Sequence, residues 1–170
     1  FGKPRVMVRK RSINFDHWQA SYYKVGLDTT VKISALFEQI RNWQNFAAHF
    51  YNYKVCGELP AIFGRDERLD LNDMHHIHLA STQAIQTRWA KIARQYYRTA
   101  LVNDPDNDFW LIYAYDAFRD EYLLRTVTGP DAHNRSEWGS FLRSVHYEIV
   151  EPWVMGKVIF PDLDDLLFEE

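Results

Sequence analysis

The chain has a single cysteine, Cys56, among its 170 residues and so cannot form an internal disulfide. This excludes the disulfide-stabilised secreted domains and makes a reducing cytoplasm the expected location. No apolar run approaches the roughly 18 residues that a membrane-spanning helix needs, and residues 1–5 lack the apolar stretch of a signal peptide. We therefore expect a cytoplasmic protein that contacts no membrane.

The chain also lacks the short motifs that identify several large classes of enzyme. It contains no P-loop, no GxGxxG, no GxSxG, no HExxH and no paired cysteines at zinc-binding spacing. We accordingly predict neither a cofactor nor a bound metal ion.

Hydrophobic residues make up 46% of the chain and aromatic residues 16%, which is ample material for one core. No repeat or flexible linker divides the sequence. We predict a single domain over residues 1–155 and an acidic tail over residues 156–170.

Charge is distributed unevenly along the chain. Residues 151–170 hold six acidic residues and one lysine, so this segment carries −5 and residues 1–150 carry +2 of the total of −3. The first eleven residues, in contrast, contain only basic charges. This pattern indicates contact with a polyanion at one end, and two solvated termini explain it equally well.

Hydrophobic periodicity predicts an α+β protein. Apolar side chains at three- and four-residue steps predict a long helix between Val31 and Tyr51. A second helix is predicted over residues 136–150, ended by Pro152. Strands are predicted at residues 6–11, at residues 76–79, and as a hairpin of residues 109–118 and 122–128.

The segments between these elements read mostly as connections. Residues 58–73 are predicted to be a loop and residues 103–108 a turn, whereas residues 86–99 fit a helix or a strand. The resulting order predicts an antiparallel sheet packed against helices on one face.

The short strand at residues 76–79 reads His-Ile-His-Leu. Successive side chains of a strand point to opposite faces, so Ile77 and Leu79 are expected to face the helix. His76 and His78 then lie together on the other face, which we expect to be exposed.

Several motifs resemble those of the YafO family of toxins. The matching blocks lie between about residues 50 and 150, in the family's order. They are Tyr53-Lys54, Gly57-Glu58-Leu59-Pro60, Ile62-Phe63-Gly64-Arg65-Asp66, His76-Ile77-His78-Leu79-Ala80, Arg98-Thr99, Leu111-Ile112-Tyr113, Leu123-Leu124 and Pro130-Asp131-Ala132-His133.

The chain departs from the family pattern in three places. The loop between Asp66 and His76 is short, the stretch after His133 reads Ser136-Glu137-Trp138-Gly139, and the acidic tail is an addition. The resemblance implies a RelE-like fold with an N-terminal helix or helices and a C-terminal helix. It also implies cleavage of mRNA on the translating ribosome and a cognate antitoxin protein as partner.

Cleavage of RNA without a metal needs a base for the 2′-hydroxyl, a cation for the phosphate and an acid for the leaving 5′-oxygen. Histidine suits the proton transfers and arginine suits the phosphate. We therefore predict catalytic roles for His133, His78 and Arg65. Structural alternatives remain for each: His133 as a residue that starts the last helix, His78 as an ordinary sheet histidine, and Arg65 as the ion-pair partner of Asp66.

Five further residues are predicted to bind the substrate: His76, Arg125, Arg135, Lys54 and Tyr113. Arg125 lies mid-strand, where an arginine must reach solvent or find an anion. Tyr113 has an aromatic ring that stacks on unpaired bases in RNA readers, or else belongs to the core.

Two other functions remain open at this point. The chain is alternatively a binding module that has kept the fold and lost the chemistry, engaging a protein partner or the ribosome, because the stretch after His133 and the tail are altered. A nuclease that nicks DNA directly is the third possibility.

Overall fold

The computed structural model describes residues 29–163 and residue 166. The strand predicted at residues 6–11 lies outside the described residues. The strands are β1 (Thr30–Ile33), β2 (Phe63–Arg68), β3 (Met74–Leu79), β4 (Phe109–Asp116) and β5 (Glu121–Thr128), and the helices are α1 (Trp43–Lys54), α2 (Gln83–Ala90), α3 (Arg135–Val145) and α4 (Glu151–Val154). No helix in this part of the chain is long and apolar enough to cross a membrane.

The five strands form one sheet in the order β1-β5-β4-β3-β2. Pairing from β2 to β5 is antiparallel, whereas β1 lies parallel to β5 at one edge. The α+β class and the hairpin of β4 and β5 are confirmed, but the sheet is mixed rather than antiparallel. A hairpin makes two consecutive strands antiparallel. β1 and β5 are separated by three strands along the chain, so the sequence did not indicate their relative direction.

Helices cover both faces of the sheet, so the prediction of a single covered face is wrong. On one face, Phe50 of α1 packs in a core with Leu111 of β4. On the other face, Val145 of α3 packs in a second core with Ile112. Neighbouring residues of β4 thus enter different cores, which is typical of a strand that is apolar on both sides.

The helix predicted from Val31 begins only at Trp43. Residues 30–33 form β1 instead, with Val31 and Ile33 buried. Asn42, which has a left-handed backbone with φ of 62°, precedes the helix. The alternation of Val31 and Ile33 fits a strand as well as a helix, and pairing with β5 decides between them.

β2 lies within residues 58–73, which the sequence predicts to be a loop. It is an edge strand, and its last two residues, Glu67 and Arg68, are exposed. An edge strand of this kind needs little apolar content, and charged residues at an edge prevent pairing with other chains. Hydrophobicity therefore gave no indication of it.

Gly64 in β2 allows a close approach of neighbouring chain segments. A Cβ atom here would lie 2.2 Å from the carbonyl oxygen of Arg98 and 2.9 Å from the ring of Trp89. We expect Gly64→Ala to lower the free energy of unfolding by about 2 kcal/mol or more, since overpacking typically costs 1–3 kcal/mol. Urea unfolding followed by tryptophan fluorescence measures the change.

Gly139 in α3 provides the matched control. The nearest atom to a Cβ there is Nη1 of Arg143, a flexible side chain, at 3.4 Å. Gly139→Ala should leave stability equal or raise it by up to about 1 kcal/mol, because alanine favours a helix. A Gly64→Ala protein as stable as the wild type would contradict the packing described.

Residues 86–99 and the C-terminal helix also differ from what the sequence predicts. Residues 86–99 contain the end of α2 and then a short 3-10 turn at Gln95–Tyr97, so the strand alternative is wrong. The predicted C-terminal helix is present, but Pro152 does not end it. A π-helical turn at His146–Val150 leads into α4, where Pro152 lies in the first turn and its missing N–H is tolerated.

The chain after α4 returns to the sheet at β1. The N–H of Ile33 donates to the carbonyl oxygen of Pro161 at 3.0 Å, and Lys32 Nζ lies 3.7 Å from a carboxylate oxygen of Asp162. Leu163 is buried in the core on the α1 side. Part of the predicted tail is therefore in contact with the sheet.

Candidate functional site

His133 lies in the loop between β5 and α3, and Asp108 holds it from two directions. One oxygen of Asp108, Oδ2, accepts from the backbone N–H of His133 at 3.0 Å and from its ring nitrogen Nδ1 at 2.5 Å. A carboxylate only accepts, so Nδ1 carries a hydrogen, and in the neutral ring Nε2 then carries the lone pair. The carboxylate is 5% exposed, whereas the His133 ring is 56% exposed.

The start of α3 does not depend on the His133 side chain. Asn134 is the N-cap residue, and its side chain accepts from the backbone N–H of Glu137 at 3.3 Å. This is the usual way in which asparagine satisfies a free N–H of the first turn. The ring of His133 is therefore available for another role.

His76 and His78 lie on the same face of β3, as their spacing predicts. Their ring centroids are 5.3 Å apart, and the rings of Trp110 and His133 lie 5.8 Å and 5.3 Å from that of His78. The expectation that this face is exposed is wrong, because His76 is 7% and His78 2% exposed. Trp110, whose ring lies 4.1 Å from that of His76, covers part of this face.

Burial keeps both sheet histidines neutral. Removal from water is the main cause that lowers the pKa of His76 to about 4 and that of His78 to about 3, and repulsion from neighbouring histidines contributes to both values. Near neutral pH each ring therefore has one N–H donor and one acceptor nitrogen.

Arg65, His78, Asp108 and His133 line one open cavity of about 350 Å³. The remaining lining residues come from the loops before β4 and after β5: Thr99, Ala100, Leu101, Val102, Pro105 and Asp131. The structure thus brings together all three of the residues predicted to be catalytic. One ligand atom each from His78, Asp108 and His133 lies within 4.8 Å of the others.

The guanidinium of Arg65 is held at the side of this cavity. Its Nε–H donates to the carbonyl oxygen of Tyr96 at 2.8 Å, and its carbon Cζ lies 3.8 Å from the centre of the Tyr96 ring. Its ion-pair partner is Glu67, at 3.8 Å, and not the predicted Asp66. Stacking on an aromatic ring holds an arginine in place while it retains its charge.

Lys54 and Tyr113 lie on the other side of the sheet, around Asp66. One oxygen of Asp66 accepts from Lys54 Nζ at 2.7 Å and from the Tyr53 hydroxyl at 2.8 Å, and the other accepts from the Tyr113 hydroxyl at 2.7 Å. Burial and the Asp66 charge raise the pKa values of both tyrosines above the ordinary value. The geometry does not bring Lys54 or Tyr113 to the His133 cavity.

Two arginines predicted to bind the substrate are also elsewhere. Arg125 lies at an irregularity in the pairing of β4 and β5 and is fully buried, and burial lowers its pKa to about 10. None of its guanidinium nitrogens has a hydrogen-bond partner among the described residues. Arg135 is highly exposed and lies 3.5 Å from Asp70, beside a second cavity of about 240 Å³.

Sequence reasoning missed Asp108 and Trp110. Asp108 belongs to the Asn-Asp-Pro-Asp-Asn-Asp run, and aspartate is common in turns. Nothing in this run therefore distinguished Asp108 as a residue of the site. Its position directly before β4 was the available signal, because side chains at strand ends are fixed by the sheet.

The comparison with family models identifies the class of protein: toxins of type II toxin–antitoxin systems. The matching family is described as Toxin YafO, type II toxin-antitoxin system, and the match covers residues 51–154, from the second half of α1 to the end of α4. The chain belongs to this family, and the resemblance seen in the sequence is confirmed. Membership in a toxin–antitoxin family implies an antitoxin as its partner. No curated protein and no solved structure matches the chain.

Proposed function

We propose that this toxin is a ribosome-dependent endoribonuclease that cleaves mRNA without a metal ion. The observation that carries the proposal is the His133 ring, held by Asp108 at the edge of a cavity that His78 and Arg65 also line. An oriented imidazole and a fixed guanidinium are two of the groups that phosphodiester cleavage needs.

His133 acts as the proton carrier in this mechanism. Its Nδ1–H is bonded to Asp108, so Nε2 is the nitrogen that takes the proton from the 2′-hydroxyl of the RNA. The 2′-oxygen then bonds to phosphorus and the bond to the 5′-oxygen breaks. The imidazolium returns the proton to that leaving oxygen, and the products are a 2′,3′-cyclic phosphate and a 5′-hydroxyl. Asp108 stabilises the positive ring while the proton is on it.

Arg65 and His78 stabilise the phosphate as its charge increases. Arg65 supplies a permanent positive charge with several N–H donors, as phosphate binding by arginine requires. His78 is neutral because burial lowers its pKa to about 3. A neutral imidazole donates a hydrogen bond to an oxygen without giving up its proton, which suits an electrophilic role.

The ribosome supplies the positioning of the mRNA. A cavity of about 350 Å³ is at the lower end of the roughly 300–1,000 Å³ of ligand pockets and suits one exposed nucleotide. Holding the reacting groups together accounts for a large part of a rate enhancement, so the protein needs few groups of its own. The basic side chains among residues 1–11 are proposed to contact ribosomal RNA, so the toxin would act in the cytoplasm. We also propose that residues 1–155 form a single RelE-like domain, which the acidic tail follows.

Primer extension on an mRNA incubated with the purified protein tests this function. We expect new 5′ ends of a downstream fragment only when the mRNA is being translated, and none when initiation is blocked. The 3′ ends of the upstream fragment should resist ligation until the cyclic phosphate is removed, whereas the new 5′ ends should accept phosphate from a kinase. Cleavage of free mRNA at an equal rate, or no cleavage at all, would contradict the proposal.

A further inference from the structure

His78, Asp108 and His133 also have the composition of a metal-binding site. They offer two imidazole nitrogens and one carboxylate oxygen, all within 4.8 Å of one another. We propose that these three residues bind a divalent transition-metal ion, of which Zn²⁺ is the representative, and that the bound ion inhibits the toxin. The inhibition rests on the nuclease function proposed above; the binding does not.

The type of ligand selects the class of ion. Imidazole nitrogen together with carboxylate oxygen is typical of zinc and its neighbours, whereas Mg²⁺ and Ca²⁺ prefer oxygen ligands throughout. Three protein ligands leave a fourth position open for water, and here all three residues line one open cavity.

The geometry needs only a small adjustment to hold the ion. Metal–ligand bonds of about 2.0–2.2 Å set the ligand atoms of a tetrahedral site roughly 3.3–3.6 Å apart, so a separation of 4.8 Å must shorten by about 1.2–1.5 Å. The 2.5 Å contact between Asp108 Oδ2 and His133 Nδ1 must lengthen if both of these atoms bind the ion. His78 belongs to β3 and Asp108 directly precedes β4, so both are fixed by the sheet. His133 is in a loop with its ring largely exposed and is the ligand that can move.

One neighbouring group opposes a cation and another favours it. The positive Arg65 lines the same cavity, which weakens metal binding. Its charge is partly balanced by Glu67, and its guanidinium is held against Tyr96. Asp108 brings a buried negative charge, and its second oxygen, Oδ1, has no hydrogen-bond partner among the described residues. A buried carboxylate with a free oxygen is suited to a metal ligand.

A metal ion on His133 would prevent proton transfer by that ring. A neutral imidazole has a single lone pair, and coordination occupies it while the other nitrogen keeps its hydrogen. Whichever nitrogen binds the ion, none remains to accept the proton of the 2′-hydroxyl.

Calorimetric titration of the metal-free full-length protein with ZnCl₂ tests the site directly. We expect one ion to bind, with an affinity that falls by about 100-fold or more in His78→Gln and in Asp108→Asn, since loss of a group that only supports a ligand already costs about 10–100-fold. His146→Gln, which alters a partly buried histidine outside the cluster, should bind as the wild type does. MgCl₂ in place of ZnCl₂ should give no binding at this site.

The second measurement is cleavage of translated mRNA with and without ZnCl₂. We expect cleavage by the metal-free protein and at least a tenfold reduction when the site is saturated, reversed by a chelator. Absence of zinc binding, or binding that His78→Gln and Asp108→Asn leave unchanged, would overturn the site even if the protein is a nuclease. Undiminished cleavage at saturating zinc, or cleavage that requires zinc, would overturn the inhibition. If no cleavage occurs under any condition the nuclease function and the inhibition both fail, and the calorimetry still decides the site.

Discussion

Replacing His133 by glutamine is expected to abolish the growth arrest that follows expression of the wild-type toxin. Glutamine retains a polar side chain of similar size but cannot carry a proton at neutral pH. Loss of a general acid–base group costs a factor of about 10²–10⁴ in rate, which at equal protein levels should prevent arrest. Growth and incorporation of labelled amino acids after induction measure the effect.

Two further variants test whether the loss of toxicity arises from the His133 ring. Asp108→Asn should also lose most of its toxicity, because the amide no longer stabilises the imidazolium, although the fold is retained. His146→Gln, whose ring bonds the carbonyl oxygen of Asn72 at 3.1 Å, should remain fully toxic. Full toxicity of His133→Gln at wild-type protein levels would show that another residue carries the proton.

Replacing Asp66 by alanine is expected to lower the free energy of unfolding by about 3–5 kcal/mol, the cost of removing one partner from a buried ion pair. The Asp66 carboxylate is 11% exposed and accepts from Tyr53, Lys54 and Tyr113. Without it, the ammonium and two hydroxyls remain largely buried and lose their acceptor. Urea unfolding at pH 7 measures the difference.

Tyr113→Phe is the matched control for this cluster. It removes one hydroxyl and one hydrogen bond, so we expect a loss of about 1 kcal/mol. Cleavage per folded molecule should be unchanged, because the hydroxyl points to Asp66 on the far side of the sheet from His133. A stability loss under about 1 kcal/mol in Asp66→Ala would contradict the structural role of this cluster. A strong fall in cleavage in Tyr113→Phe would show that Tyr113 serves the reaction.

The Asp66 cluster and the His133 cavity use residues of the same sequence motifs for different roles. The Tyr53-Lys54 pair and Asp66 meet on the α1 side, where their bonds join the end of α1 to β2. Arg65, next to Asp66 in the same motif, belongs to the cavity on the other side. Adjacent residues of a strand point to opposite faces, so one motif contributes to both.

Elements with a strong local pattern were predictable from the sequence. The alternation in His-Ile-His-Leu gave β3 and the common face of His76 and His78. Aromatic and β-branched runs gave the hairpin of β4 and β5.

Features that depend on contacts distant in sequence were not predictable. β1 has a pattern that fits a helix, and it is a strand because β5 provides its hydrogen-bond partners. The pairing of Asp108 with His133 joins residues 25 positions apart, and the turn in which Asp108 lies explains an aspartate without any chemistry. Pairing of Arg65 with its neighbour Asp66 was the structural alternative to a catalytic role, and the opposite direction of their side chains prevents it.

The role of His133 is tested most directly by the rate of mRNA cleavage in a single turnover on programmed ribosomes, with the protein in excess. We expect His133→Gln to lower the rate constant by a factor of about 10²–10⁴. Its affinity for ribosomes that carry a 2′-deoxy, uncleavable codon should stay within about twofold of the wild type, because the ring acts on the proton rather than in binding. A wild-type rate constant in His133→Gln, or a loss explained entirely by weaker binding, would contradict the assignment of this cavity as the nuclease site.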